Sequence, residues 1–411
     1  MSEWKKVKLG ELCDFINGGA WSDKEYAPEG IPVLKVTNCK NSGFSLSELS
    51  YLPHSLEQKY IQNKLQRNDV IIATVGSHPN LVNSSAGRSV IVNSFVEGFY
   101  LNQNAVCIRT KDEEILDQLF WGYYSKYYLF QNYIQMRGKG AANQMRIAIS
   151  AIKNYPMPLP PINVQRHVAS ILSRYDSLIE NYQKQIKLLE EAARRLYKEW
   201  FIDLRFPGHE NTKIVDGVPE GWERKKVGEI GTVITGKTPS TSNKENYGGS
   251  IPFITIPDMH TGIYPVSSVF LSEKGAESQS KKYIPQGALI VSCIGTAGLV
   301  CITKERCQTN QQINSLILDD KEMLHYMYFV FLSLKEHLNN IGSNGATMTN
   351  VNKSKFEGID IVVPSSCIIR DFSQRTTPYF ENILSLQSQI RLLTEACDRL
   401  LPKLMSGEIT V

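Results

Sequence analysis

Two stretches of the sequence carry apolar residues at alternating spacings of four and three. One begins at Val168 and the other at Phe372, and each pattern continues without a break for several turns of helix. A period of 3.5 residues held over that distance predicts a long α-helix that buries its seam against another helix. The seam residues are Leu172, Tyr175, Ile179, Tyr182, Ile186, Leu189, Leu196, Tyr379, Ile383, Leu386, Ile390, Leu393, Leu400 and Leu404.

Each stretch predicts a helix of about 40 residues, or about 60 Å, which exceeds what a compact domain needs to cover one sheet. A stripe that packed on its own module would drift with the ordinary 3.6-residue period. Leaving both stripes in water would forfeit roughly 1.5–3 kcal/mol per seam side chain. We therefore expect the two helices to pair as an antiparallel coiled coil with pseudo-two-fold symmetry.

The segments that precede the two helices resemble each other. WKKVKLGELCDFING at residues 4–18 matches WERKKVGEIGTVITG at residues 222–236. Three further segments match in the same order. In the first copy they are IPVLKVTN, DVIIATVG and Asn102-Gln103, and in the second copy IPFITIPD, ALIVSCIG and Asn310-Gln311. Such a repeat indicates one structural unit used twice.

The short β-branched runs in each copy are bounded by Gly, Asn and Pro, which predicts strands. One helix-like segment per copy, at residues 113–136 and 321–341, completes the pattern. The fold class we predict is therefore α/β (α+β), with two copies in tandem and each followed by a long helix. The predicted segments are a first module at 1–160, a helix at 161–204, a linker at 205–221, a second module at 222–364, and a helix with a tail at 365–411.

Composition narrows the function classes only slightly. The chain has 411 residues, of which 42% are hydrophobic and 21% charged, so it can fold into two or three domains rather than stay disordered. The formal net charge of +4 suits a polyanionic partner without requiring one. The eight cysteines form no C-x-x-C pair, which favours reduced thiols and no metal site. No stretch predicts a secretory signal or a membrane span, so we expect a cytoplasmic protein.

Polar and basic residues in the loops of both modules are candidates for contacts to nucleic-acid phosphates or bases. In the first module these candidates are Lys35, Asn38, Lys40, Ser77, His78, Asn80, Arg88, Arg137, Lys139, Asn143, Gln144 and Arg146. In the second module they are Lys237, Thr238, Ser240, Thr241, Asp258, His260, Thr296, Lys304, Arg306, Asn344, Thr347 and Asn350. A solvated loop residue is the plain alternative for any one of them.

Residues 231–238, from Gly231 to Thr238, fit the phosphate-loop pattern G-x-x-x-x-G-K-[ST]. A working phosphate loop lies between a strand and a helix, whereas Pro239 and a stretch rich in Ser, Thr, Asn and Gly follow here. We therefore predict a polar loop at Lys237 and Thr238, and we expect no catalytic residue in the chain. His78 and His260 lack a repeated nucleophile or carboxylate partner and are not expected to act as bases.

Several segments resemble the DNA-specificity subunit of type I restriction-modification systems. The resemblance covers nearly the whole chain and rests on LPPINVQR from Leu159, RFPGHENTKIVDGVPEGW from Arg205, GKTPSTSNKENYGGSIPFITIPDM from Gly236 and LLPKLMSGEI from Leu400. It implies two target recognition domains, two helical spacers, and partners comprising double-stranded DNA, two modification (methyltransferase) subunits and restriction (endonuclease/translocase) subunits. It also implies no cofactor in this chain, with S-adenosylmethionine, ATP and Mg on the partner subunits.

The function expected from the resemblance is recognition of a bipartite, asymmetric DNA target in bacterial phage defence. Each module would read one half-site, and partner adenine methyltransferase and restriction subunits would act at the target. The sequence leaves two alternatives open, namely a nucleotide hydrolase that uses residues 231–238 and a coiled-coil adaptor that does not bind DNA. The base sequence of the target and the length of its unread gap do not follow from the residues alone.

Overall fold

The computed structural model describes residues 4–40, 43–46, 49–77, 86–140, 145–343 and 350–409. The chain forms two compact units. Unit 1 comprises Met1–Asn181 and Ile390–Val411, and unit 2 comprises Tyr182–Gln389. The two long helices span Ile162–Tyr197 and Ser366–Ser406, so each of them contributes to both units. This division differs from the five predicted segments, which assign each long helix to a segment of its own.

A four-stranded antiparallel sheet forms the centre of unit 1. Its strands, in spatial order, are Cys13–Asn17, Ala105–Thr110, Val70–Ala73 and Ser89–Ile91. Val70 and Ile72 face one hydrophobic cluster, and Ile71 and Ala73 face another. Because successive side chains of a strand point to opposite faces, a sheet covered on both sides needs a continuous apolar run such as VIIA.

The helix Gln118–Lys126 covers the first of these faces with buried aromatic side chains. It begins after Asp117, whose carboxylate accepts a hydrogen bond from the Phe120 backbone N–H and so caps the helix. The remaining helices and strands of unit 1 are smaller. They are Lys5–Lys8 paired with Pro156–Leu159; Ile31–Leu34 between Tyr100–Leu101 and Ser50–Leu52; Cys39–Lys40 with Gly43–Phe44; Val75–Gly76 with Met145–Arg146; and the helices Leu9–Leu12, Tyr128–Gln135 and Ile149–Lys153.

Unit 2 repeats this arrangement. Its central sheet has the order Gly231–Thr235, Ile313–Leu318, Leu289–Ser292 and Val300–Ile302, again with antiparallel neighbours. The other helices and strands are Tyr247–Ile254 between Val269–Leu271 and Gln308–Thr309; Glu223–Lys226 with Asp360–Val363; Ile214–Val215 with Val218–Pro219; and the helices Glu273–Glu277, Leu324–Ser333, Lys335–Ser343 and Lys353–Glu357. The sequence repeat is therefore a structural repeat.

The predicted single helix of each module is wrong in one respect, because the structure breaks it in two. Tyr127 separates the helices of unit 1 and has extended backbone angles. Its buried ring makes edge contacts with Tyr124 and Tyr128, and this aromatic packing stabilises the break. Leu334 separates the corresponding helices of unit 2.

The predicted seam residues of both long helices are all buried or half-buried. Within unit 1, Val168 and Leu172 of the first long helix share a cluster with Leu404 and Met405 of the second. Within unit 2, the ring of Phe372 on the second long helix lies 5.8 Å from that of Trp200 and 4.9 Å from that of Phe201, at the end of the first long helix. Each unit therefore buries a segment of both helices in its own core.

Candidate nucleic-acid interface

In unit 1, a polar turn at residues 101–105 lies beside several predicted contact segments. The backbone N–H groups of Gly18 and Gly19 donate to Ala105 O and Leu101 O, at 3.0 and 2.7 Å. On the other side, Thr74 N–H donates to Asn104 O at 2.9 Å, and Ile147 N–H donates to Thr74 O at 2.8 Å. These hydrogen bonds connect the turn, Thr74 and the segment at Ile147.

Unit 2 contains the same hydrogen bonds around residues 309–313. Gly236 N–H donates to Ile313 O at 3.0 Å, and Lys237 N–H donates to Thr309 O at 2.9 Å. Cys293 N–H donates to Gln312 O at 2.8 Å, and Val351 N–H donates to Cys293 O at 2.9 Å. We call this set of four hydrogen bonds, with the segments that it joins, the shared backbone frame of the two modules.

Two positions of the frame require glycine because another backbone segment lies directly against them. A Cβ atom on Gly18 would lie 1.9 Å from Asn102 O, and one on Gly236 would lie 2.1 Å from Asn310 O. Both distances are far below van der Waals contact, so neither position accepts a larger residue without moving the turn. This close approach explains the second glycine of the phosphate-loop pattern without a nucleotide.

The first five residues of that pattern form the strand Gly231–Thr235, which pairs along its length with Ile313–Leu318. The chain then continues through Lys237 and Thr238 as a loop, and the next element is only the short turn Lys244–Asn246. A phosphate loop needs a helix whose N-terminal N–H groups face the phosphate. The nucleotide-hydrolase alternative is therefore wrong at this site.

Side chains on the frame differ between the modules although the backbone hydrogen bonds do not. At four positions the first module has Gly19, Ala20, Asn104 and Arg146 where the second has Lys237, Thr238, Gln312 and Asn350, whereas Gln103 and Gln311 are identical. Gly19 is buried, Thr238 and Gln312 are half-buried, and the other residues are exposed. The Thr238 hydroxyl donates to the Gln311 carboxamide oxygen. Gln312 accepts a 3.1 Å hydrogen bond from the Asn310 carboxamide, which orients its own side chain.

The four turn residues Gln103, Asn104, Gln311 and Gln312 are absent from the candidates taken from the sequence. Their signal was present as the Asn-Gln pair that occurs at the same place in both copies. That signal indicated the repeat, but it did not show that the second residue of each pair is exposed between two candidate loops.

Several predicted residues of the first module do lie near the frame. Arg146 pairs with Val75, and the backbones of Arg146 and Lys139 exchange two hydrogen bonds of 2.8 and 2.9 Å. Arg137, just before this hairpin, stacks its guanidinium 3.6 Å above the centre of the Tyr133 ring. Ser77 follows the strand Val75–Gly76 and is half-buried.

Other candidates of the first module are held by internal contacts. The Lys35 ammonium donates to the Ser50 hydroxyl at 2.8 Å and lies 4.4 Å from the centre of the Tyr26 ring. Arg88 donates to the Cys39 carbonyl oxygen at 2.6 Å, which attaches the hairpin containing Lys40 to the central sheet. Burial lowers the pKa of Arg88 from its usual value. Lys40 itself is exposed.

Two candidates are corrected because they are buried and bonded to their own loops. Asn38 accepts a hydrogen bond from Lys35 N–H at 3.0 Å and donates to Ser45 O at 3.1 Å. Asp258, at the equivalent position, accepts from Thr255 N–H at 2.8 Å and from Ser268 N–H at 2.9 Å. Both side chains are at most 5% exposed, so we remove them from the candidate interface.

The second module presents most of its remaining candidates on the surface. Lys237, Thr241, His260 and Thr296 are exposed, and the Ser240 hydroxyl makes a 2.7 Å hydrogen bond with that of Ser242. Arg306 stacks 3.6 Å above the centre of the Tyr283 ring, and Lys304 lies 3.6 Å from the Glu305 carboxylate. His78, Asn80, Asn143, Gln144, Asn344 and Thr347 lie outside the described residues.

Six of the eight cysteines are buried inside the two units. Cys13, Cys39, Cys107, Cys293, Cys301 and Cys307 are buried, and burial raises the pKa of each thiol to about 12 or beyond. Such thiols stay protonated and behave as small apolar side chains. Among the described residues there is no group of His, Cys, Asp and Glu that could hold a metal ion.

Comparison with known proteins gives the family. The sequence matches the family described as "Type I restriction modification DNA specificity domain" over residues 1–191 and 219–371. It is 28% identical to the HindI specificity subunit of Haemophilus influenzae over the full length of both chains. It is 30% identical to the MjaIX specificity subunit of Methanocaldococcus jannaschii over 64% of this chain and 62% of that one.

The fold agrees with a solved member of the same class. The crystal structure of the type I restriction-modification S subunit from M. genitalium covers 98% of this chain and 96% of its own, with a TM-score of 0.57 and 18% identity. The chain thus belongs to the type I restriction-modification specificity subunits. Members of this family recognise DNA sequences within restriction-modification complexes. In the described part of the chain, no helix is both long and apolar enough to cross a membrane.

Proposed function

We propose that the protein is the non-catalytic subunit that selects the DNA target of a type I complex, reading one half-site with each module. The observation that carries the proposal is the shared backbone frame, which presents different exposed side chains in the two modules. One backbone with two sets of side chains suits two unlike half-sites. The target would therefore be bipartite and asymmetric.

The predicted coiled coil would separate the two half-sites by base pairs that neither module reads. Its support lies in contacts that each unit makes with both long helices. In unit 1, Asp176 of the first long helix is close enough to Cys397 of the second to raise the pKa of that thiol, after the larger effect of burial. In unit 2, Trp200 packs on Phe372. Contacts between an early residue of one helix and a late residue of the other are those that antiparallel pairing would produce.

Affinity for the target would come mainly from phosphate contacts. Lys237, Lys139 and Lys40 are exposed basic residues in or near the frame segments and can neutralise backbone phosphates. Such contacts fix the position of a protein on DNA and carry no sequence information. Base contacts would come from arginine and carboxamide side chains, which match the donor and acceptor pattern of the major groove.

The chemistry would belong to the partners. Two modification subunits that use S-adenosylmethionine would methylate adenine, and restriction subunits that use ATP and Mg would cleave. We assign none of these groups to this chain, and its own contribution would be to bring the partners to one DNA sequence.

The test is to co-express the chain with the modification subunit of its own system and to map methylated adenines by long-read sequencing. The expected result is one split motif, with two short unlike halves around a gap of fixed length. Absence of methylation that depends on this chain would favour the adaptor alternative, and an unbroken motif would contradict the assignment of one half-site to each module.

A further inference from the structure

We infer that Arg146 and Asn350 occupy one base-reading position of the shared backbone frame, where Arg146 reads guanine in the first half-site and Asn350 reads adenine in the second. This inference rests on the proposed function and adds to it a residue and a base for each half-site.

The two residues are structurally equivalent by their backbone partners. Arg146 pairs with Val75 and precedes Ile147, whose N–H donates to Thr74 O. Asn350 forms a bridge with Ile294 and precedes Val351, whose N–H donates to Cys293 O. Thr74 and Cys293 in turn donate to the turn residues Asn104 and Gln312, so the equivalence extends across three adjacent segments.

Burial next to each residue anchors its backbone to the core while its own side chain is exposed. Ile147 is 3% exposed and Val351 is 1% exposed, and these buried side chains anchor the two segments. Arg146 and Asn350, which precede them, are both exposed. The anchored backbone fixes where each reading residue is presented, which lowers the ordering cost of recognition.

Arg146 is also uncommitted within the described part of the chain. Arg67 pairs with Glu180, Arg109 pairs with Asp69, and Arg88 donates to a backbone carbonyl. Arg146 makes no side-chain hydrogen bond or ion pair to the described residues, and neither does Asn350. Both side chains therefore keep their full hydrogen-bonding capacity for a ligand.

The chemistry of the two side chains selects the bases. The guanidinium offers two parallel N–H donors, which match O6 and N7 of guanine in the major groove. The carboxamide offers one donor and one acceptor, which match N7 and the N6 amino group of adenine. A two-stranded ribbon such as Val75–Gly76 with Met145–Arg146 fits the width of that groove.

The exposed turn beside this position supports a base-reading role rather than an isolated surface residue. Thr74 is hydrogen-bonded to both Asn104 and Ile147, so the turn and the reading segment are joined through the same residue. Gln103 and Asn104 in one module, and Gln311 and Gln312 in the other, can therefore contact the same half-site as Arg146 or Asn350.

The experiment uses the complex with its modification subunits and compares wild type with Asn350→Arg, Arg146→Asn and Arg224→Asn. Arg224 is an exposed arginine on the strand Glu223–Lys226, outside the frame, and serves as the control. Methylated motifs are mapped, and binding is measured against duplexes that carry each of the four bases at every position of both half-sites.

We expect Asn350→Arg to change one position of the second half-site from adenine to guanine, with at least tenfold weaker binding to the original duplex. Arg146→Asn should change one guanine of the first half-site in the same way, and Arg224→Asn should leave both unchanged. An unaltered base preference in both frame variants would overturn the inference, and so would a uniform loss of affinity for all duplexes, which indicates a phosphate contact.

The two proposals fail differently. If the wild-type complex recognises no split motif, the proposed function fails whatever the variants do. If wild type recognises a split motif and the variants retain its bases, only the assignment of Arg146 and Asn350 fails. The binding profile decides the question even for a variant complex that no longer methylates.

Discussion

The Asp69–Arg109 pair is a buried ion pair that one module has and the other lacks. Asp69 is 2% exposed and accepts hydrogen bonds of 2.6 and 2.7 Å from the Arg109 guanidinium and one of 2.7 Å from Gln66 N–H. The hydrogen bonds to Asp69 raise the pKa of Arg109. In the second module, the strand register places Ala288 at the position of Asp69 and Ile317 at the position of Arg109. The fold therefore accepts either an ion pair or two apolar residues at these positions.

A double-mutant cycle tests whether the pair stabilises the first module beyond what apolar packing gives. Asp69→Ala leaves Arg109 without its counter-ion and should lower the free energy of unfolding by about 3 kcal/mol. Asp69→Ala with Arg109→Ile installs the residues of the second module and should recover all but about 1 kcal/mol. Denaturant unfolding measures both changes and that of the single variant Arg109→Ile, which completes the cycle. A double variant that loses the sum of the two single losses would show that the residues act independently.

His325 is a buried histidine on the helix Leu324–Ser333, where that helix packs against the second long helix. Its ring stacks on Phe380 with centroids 4.0 Å apart, and Nδ1 lies 3.0 Å from the Thr376 hydroxyl. That hydroxyl also lies within hydrogen-bond distance of the Phe372 carbonyl oxygen, at 2.8 Å. Burial lowers the pKa of His325 from 6.5 to about 4, because a charged ring would lose its hydration.

The folded pKa of His325 lies below the unfolded value, so the unfolded chain binds the proton first as the pH falls. Stability is therefore complete above about pH 6.5 and is lost between pH 6.5 and 4, by up to about 3 kcal/mol. The difference in unfolding free energy between wild type and His325→Gln should decrease over that window. His260→Gln, at an exposed histidine of the same unit, should track wild type. A pH-independent difference between wild type and His325→Gln would contradict this assignment.

At the residue level, the sequence did not distinguish exposed polar loop residues from buried ones. Asn38 and Asp258 are polar, lie in loops and occur at equivalent positions, all of which favoured a contact with DNA. In the structure the same features describe a side chain that stabilises its own loop by accepting a hydrogen bond from the backbone N–H of the third residue before it. Only the burial of these two side chains distinguishes the roles, and burial depends on tertiary packing.

At the level of helices, the two modules attach to the long helices by different chemistry. In unit 1 the first long helix contributes Glu180, whose carboxylate pairs with Arg67 at 2.8 Å and accepts from Ser94. One turn earlier, Asp176 accepts a 2.8 Å hydrogen bond from the Tyr123 hydroxyl. In unit 2 the position equivalent to Asp176 is Phe380, which is 1% exposed and packs on rings.

The Glu180 contact should stabilise unit 1 measurably, because the Glu180 side chain is only 10% exposed. Glu180→Ala removes the ion pair with Arg67 and should lower the free energy of unfolding by about 2 kcal/mol. Glu191→Ala, at an exposed glutamate of the same helix, should change it by less than about 0.5 kcal/mol. Salt screens the charge of the exposed Arg67 guanidinium. The loss of unfolding free energy caused by Glu180→Ala should therefore be smaller at high ionic strength. Equal effects of the two substitutions would argue against a structural role for Glu180.

The heptad repeats predicted the two long helices, whereas shorter patterns did not predict the local details of the modules. The heptads predicted helices that the structure places at Ile162–Tyr197 and Ser366–Ser406. The break at Tyr127 was not predictable, because an apolar run reads the same whether it forms one helix or two. The eight-residue phosphate-loop pattern does not require a nucleotide, because its last glycine is required by close contact with Asn310, a residue distant in sequence.

At the scale of the whole molecule, the two modules share backbone hydrogen bonds but differ in some of the side chains on them. The backbone hydrogen bonds of the frame recur in both modules, while the exposed residue Arg146 of the first is replaced by Asn350 in the second. A backbone that does not depend on its exposed side chains can accept new ones at little cost in stability. On the proposed function, each module could then change its half-site without altering the other.

Exchange of a whole module should accordingly change one half of the recognised DNA and leave the other half intact. Residues 1–160 are replaced by the corresponding module of another family member, and the hybrid is co-expressed with the same modification subunit for methylome mapping. We expect one new half-site, the original second half-site and a gap of unchanged length, because the first long helix begins at Ile162, after the junction. The reciprocal exchange of residues 222–364 is the matched control and should alter only the other half. A hybrid that altered both half-sites would mean that base preference is shared between the modules, and the independence of the two frames would have to be abandoned.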